Sequence, residues 1–179
     1  MINFPEFIKE WLTFYLLTGT AAATLIGLLF VAVSINIHVF QSKARPDLQQ
    51  FAALTFNCFF YVLVISILFL IPGLTPAGLG VPLLLLGGLG LTNTVLQIYR
   101  IRKVQVQKEG NDMAARFATP ILCLLGLAVF AAGVIMQIAW SLYGLVVVVI
   151  LLLASASVNA WTLLVRGDGQ KESKRLRKS

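Results

Sequence analysis

Charge is scarce in this sequence, and its absence excludes most chemistry. Charged residues make up 12% of the 179 positions, about half the share usual in a soluble domain. The five longest apolar runs contain no aspartate or glutamate at all. Proton- and ion-coupled pumps usually rely on an intramembrane carboxylate or other charge, so the sequence speaks against that class. Histidine occurs once, at His38, which rules out a haem held by two histidines of one chain. The two cysteines, Cys58 and Cys123, lie far apart and form no CxxC pair. Without a Cys/His cluster of metal-ligand spacing they read as small buried apolar residues, not as a disulfide framework or a metal site. No glycine-rich phosphate loop precedes a helix, and no nucleophile–base pair stands out. The sequence therefore points to a protein that is not an enzyme and carries no cofactor.

Hydrocarbon is what is present. Apolar residues make up 59% of the chain, and uncharged runs of this length need lipid as their solvent. About 20 residues at about 1.5 Å each cross a bilayer core. The sequence predicts an all-α integral membrane protein, a bundle of five transmembrane helices spanning about 11–40, 51–71, 81–99, 117–140 and 144–165. The stretch 72–80 reads as an uncharged turn, with Pro82 in the first turn of the third span, where its missing N–H costs nothing. Between Phe117 and Val165 no charge appears, and such a length must fold back once. Trp140, Tyr143 and Gly144 mark the expected place, because indole and phenol rings favour the headgroup level and glycine suits a tight turn.

Positive charge tests this count. With five spans and the N-terminus outside, 13 of the 14 Lys and Arg residues fall in 41–50, 100–116 and 166–179, and only Lys9 remains outside. That asymmetry is what the positive-inside rule expects, so the C-terminus is placed in the cytoplasm. The alanines at 21–23 resemble a signal-peptide cleavage site, but the apolar run continues to Phe40 and ends at positive charge, which is a stop-transfer pattern. Ahead of the first span, Phe4, Phe7, Ile8 and Trp11 are spaced for a short interfacial helix or belong to a frayed terminus. The tail 166–179 is polar and basic, is expected to be disordered, and should be drawn to anionic headgroups. Topology already explains the basic excess, so nucleic-acid binding is not implied.

Two patterns remain as candidate sites. Gly19, Ala23 and Gly27 recur at intervals of four and form a small-residue stripe, a helix-packing face within the bundle or toward a second copy. Beside it runs a second stripe, Thr20, Thr24, Gly27, Val31, Ser34 and His38, whose threonine and serine hydroxyls can return to their own i−4 carbonyls. The strongly polar side chains otherwise gather in the cytoplasmic half: Ser34, His38, Asn57, Tyr61, Asn93, Gln97 and Asn159. Either these groups bond between helices near the interface, or they line a cytoplasm-facing cleft for a polar or lipidic solute. The Gly87-Gly88…Gly90 run is the one candidate break in a span, or else a close-packing face.

The stretch from Thr18 to Asn36, TGTAAATLIGLLFVAVSIN, resembles the first helix of a group of small uncharacterised bacterial multi-pass inner-membrane proteins. That resemblance implies a cell inner-membrane setting and brings no catalytic motif. The expected function is an accessory, scaffold or regulatory subunit acting through helix packing on a membrane-protein partner or a second copy. The alternative is a small carrier or channel using the polar cleft.

Overall fold

The computed structural model describes residues 4–35, 46–104, 110–138 and 140–176. Apart from turns at 71–75 and 136–138, these residues form five α-helices: α1 (Phe4–Ile35), α2 (Pro46–Leu70), α3 (Pro76–Val104), α4 (Gly110–Ile135) and α5 (Trp140–Leu176). Each holds an apolar stretch long enough to cross a bilayer, namely Lys9–Ile35, Ala52–Leu70, Pro76–Leu96, Ala118–Ile135 and Trp140–Trp161. Helices satisfy their own backbone groups, which lipid cannot do, so five such helices fit a multi-pass membrane protein.

Local chemistry sets the helix ends, and several differ from expectation. The third helix starts at Pro76, five residues before Val81. Thr75 caps it, its Oγ1 accepting the Gly78 N–H at 3.1 Å, and Pro76 takes the first helical position, where no N–H is needed. The reversal ahead of it uses Gly73 in the left-handed region, φ 74°. The fold-back between α4 and α5 is under way at 136–138, ahead of the Trp140–Gly144 cluster. Gln137 adopts φ 58°, and Ile138 N–H reaches Gly133 O at 2.9 Å while Gln137 N–H reaches Val134 O at 3.0 Å. These paired bonds form a Schellman cap built on glutamine where glycine is usual.

Both chain ends are more helical than the composition suggests. Phe4 to Glu10 continue α1 without a separate interfacial segment. The basic tail, expected to be disordered, continues α5 as far as Leu176. Gln, Lys, Glu, Arg and Leu are good helix formers, and extending a formed helix needs no new nucleus.

Side by side, the helices run α1–α2–α5–α4–α3, with lighter contacts between α1 and α5 and between α2 and α3. Three of the four sequential pairs pack as antiparallel neighbours. The pair joined by the short 71–75 link, α2 and α3, barely touches, because α5 and α4 stand between them in the row. On α5, Leu142, Leu145, Val149, Leu152, Ala156 and Asn159 are all buried, at spacings of three and four. They face a core that includes Phe59, Val62 and Ile65 of α2 and Leu124 and Leu127 of α4. Without a hydrophobic effect between helices in lipid, close approach of backbones must supply the packing. Glycine provides it on α3: a side chain on Gly87 would stand 3.3 Å from Ala128 N, and one on Gly90 would stand 2.8 Å from Leu124 and 2.9 Å from the Tyr61 hydroxyl. Gly87 and Gly90 thus form a packing face on an unbroken helix, while Gly88 faces outward with no atom within 4 Å of its Cβ position.

The bundle has two unlike ends. One holds the start of α1 and the turns at 71–75 and 136–138. The other holds the end of α1, the starts of α2 and α4 and the far ends of α3 and α5, and with them the described helical positions Arg100, Arg102, Lys103 and Arg116.

Candidate functional site

The helix α1 stands at one edge of the row and has two contrasting faces. Its inward face carries Trp11, Tyr15, Thr18, Gly19 and Ala22, one turn after another. Tyr15 is 1% exposed and stacks on Phe69 of α2, ring centroids 3.8 Å apart. Trp11 meets the Tyr143 ring of α5 edge-on at 5.3 Å. Thr18 and Ser66 share a hydrogen bond, 3.2 Å between their oxygens. A side chain on Gly19 would stand 2.8 Å from the Ser66 Cβ, so this position admits glycine alone without a shift of α2.

Among the described residues, nothing covers the outward face of α1. Thr20, Ala23, Thr24, Gly27, Val31 and Ser34 are all exposed and lie on one side of the helix. A Cβ on Gly27 would meet no atom within 4 Å. Thr20 donates to Leu16 O at 2.8 Å and Thr24 to Thr20 O at 2.9 Å, so both hydroxyls are satisfied by their own helix and present their methyl groups. The result is a shallow, electrically quiet track about 10 Å long between positions 20 and 27. Large exposed side chains flank it on α1 itself, Leu16, Leu17, Leu28 and Phe30, and others such as Leu85, Leu89, Leu122 and Val129 stand on α3 and α4. Only 17% of the α1 span is buried, against 44% of the α2 and α5 spans.

The small-residue stripe therefore divides. Gly19 belongs to the α1–α2 contact, where Ala22 is buried beside it, while Ala23 and Gly27 belong to the free face.

The polar residues of the basic half divide as well. Ser34 and Asn93 are exposed, Asn57 and Tyr61 are half-buried one turn apart on α2, and Asn159 is buried in α5. The Asn159 Nδ2 has no hydrogen-bond partner. Gln97 continues α3 one turn beyond Asn93, and His38 lies outside the described residues. Hydroxyls in this half follow the self-satisfied pattern: Thr92 bonds Gly88 O at 2.9 Å, Thr94 bonds Gly90 O at 2.9 Å and Ser157 bonds Leu153 O at 2.8 Å. Cys58 and Cys123 are buried and free. Among the described residues no group of three His, Cys, Asp or Glu stands together.

Two features escaped sequence reasoning. Trp11 is read there as part of an interfacial segment and Tyr15 is not singled out, yet both carry buried donors without partners among the described residues. Their spacing of four on the Thr18 face was the available signal. Gln137, near the outer end of the fourth span, is the cap of α4.

Comparison with protein families, with curated proteins and with solved structures finds no match to this chain. Its class, a multi-pass helical membrane protein, rests on the five helices alone.

Proposed function

We propose that this chain is a non-enzymatic accessory or regulatory subunit of a bacterial inner membrane, docking a partner through α1. The observation that carries this reading is the outward face of α1, small, self-satisfied and uncovered on the least buried helix of the bundle. A helix backbone can approach such a face closely, and in lipid close approach is the main source of association energy. The partner is a transmembrane helix of another protein or of a second copy. Charge asymmetry supports an N-terminus outside and a C-terminus in the cytoplasm, with the basic end against anionic headgroups. Replacing Thr24 and Gly27 together by leucine fills the track, and co-purification of the partner is expected to be lost while the bundle stays folded.

A second reading, a carrier for a small polar or lipidic solute, is favoured by one observation: the buried Asn159 amide with no partner. An unpaired amide in the hydrocarbon region is costly unless something binds it. Solute flux in liposomes that survives Asn57→Leu, Asn93→Leu and Asn159→Leu would sink this reading.

A further inference from the structure

At the end of the bundle opposite the basic loops, α1, the last turn of α2 and the turn into α3 enclose a cavity of about 180 Å³. Leu12, Phe69, Ile71, Leu74 and Leu79 give it apolar walls, and Lys9 supplies the one charged group among the residues that line it. Lys9 is also the only basic residue at this end of the chain. Its depth is defined by the helices around it. Lys9 opens the apolar stretch of α1, Leu70 closes that of α2, and Pro76 opens that of α3. The cavity thus straddles the level at which hydrocarbon gives way to headgroups.

Two buried donors lie behind its wall rather than in its lining. Phe69, a wall of the cavity, stacks on Tyr15, whose hydroxyl is buried without a partner. One turn earlier on α1, the Trp11 Nε1 is buried without a partner too. Lys9 and Trp11 can only donate hydrogen bonds, and the Tyr15 hydroxyl has a proton to give. The carboxylate nearest in sequence, Glu10, is exposed. Apolar walls and one cation at the rim call for an occupant with a hydrocarbon chain and a negative charge.

We propose that this cavity holds one phospholipid with an anionic headgroup, its phosphate at Lys9 and the upper part of one acyl chain between Leu12, Phe69 and Leu79. At about 30 Å³ for each water-sized group, the space takes about six such groups. That suits the start of a chain, with the remainder of the lipid lying along the outside of the bundle. This site is separate from the basic end, where anionic lipid is attracted by many charges at once.

The test is native mass spectrometry of the delipidated full chain, offered equal amounts of phosphatidylglycerol and phosphatidylcholine with identical acyl chains. The wild-type protein should keep one phosphatidylglycerol after looser lipids are stripped. Lys9→Gln should weaken that retention about fivefold, the effect of one basic residue beside an anionic headgroup. Lys9→Arg should preserve it. Leu12→Trp, which fills the cavity and leaves every charge in place, should lose it. Equal retention of the two lipids by the wild type would overturn the proposal. So would undiminished retention by Lys9→Gln, which places the lipid at the basic end. Lys9 is exposed, so its variants remain decisive if Leu12→Trp fails to fold.

Discussion

Thr18 of α1 and Ser66 of α2 share a hydrogen bond of 3.2 Å beside Gly19, whose missing side chain lets Ser66 approach. The Thr18 hydroxyl also lies 3.0 Å from Phe14 O and 3.3 Å from Tyr15 O, so it keeps an acceptor when Ser66 is removed. We expect a double-mutant cycle of Thr18→Val and Ser66→Ala to give a coupling of about 0.6 kcal/mol, the average for hydroxyl pairs between membrane helices. Gly19→Leu should cost far more, because it forces α2 away along its length. Reversible unfolding in mixed micelles measures both.

The α4–α5 contact depends on Gly144. A Cβ there would run into the Phe130 ring. Gly144→Ala is expected to destabilise the bundle by about 1–3 kcal/mol, the usual cost of overpacking. Adding Phe130→Leu should recover part of that loss, and thermal unfolding of the single and double variants checks the coupling.

Gln137 holds a left-handed backbone that costs an L residue about 1–2 kcal/mol. Glycine removes that cost and gives back some chain entropy. Gln137→Gly should therefore raise stability by about 0.5–1 kcal/mol, with Ile138 still bonded to Gly133 O. A fall in stability would mean that the glutamine side chain contributes something beyond the turn.

Asn159 separates the two functional readings. As an unpaired buried amide in a structural bundle it is a liability. Asn159→Leu should then raise stability by about 1 kcal/mol in the absence of solute. A loss of similar size would show that the amide has a bound partner, and would move weight to the carrier reading.

How much of this was legible in the sequence follows from what each signal depends on. Five spans were legible because runs such as 117–165 are long, uncharged and end at arginine or lysine. Hydroxyl behaviour was legible because Thr20 and Thr24 bond within their own helix and need no neighbour. The fold-back position was not, since Trp140, Tyr143 and Gly144 look like a turn until the Phe130 ring is seen against Gly144. Nor was the helical order, in which α5 lies beside α2 and leaves the sequential neighbours α2 and α3 nearly apart. The stripe Gly19-Ala23-Gly27 shows the limit most plainly. Even spacing placed it on one face, whereas about 100° per residue turns Gly19 toward Ser66 and leaves Gly27 open. Only the position of α2 decides where one face ends and the other begins.

The central claim is that the Thr20–Gly27 face of α1 docks a partner helix. The most direct measurement is gentle extraction of the tagged protein from its native membrane, followed by quantitative mass spectrometry, for the wild type and for Thr24→Leu combined with Gly27→Leu. We expect the wild type to carry a stoichiometric membrane protein or a second copy, and the double variant to lose it with an unchanged melting temperature. A wild type that elutes as a stable, partner-free monomer, or a variant that keeps its partner in full, would contradict the account.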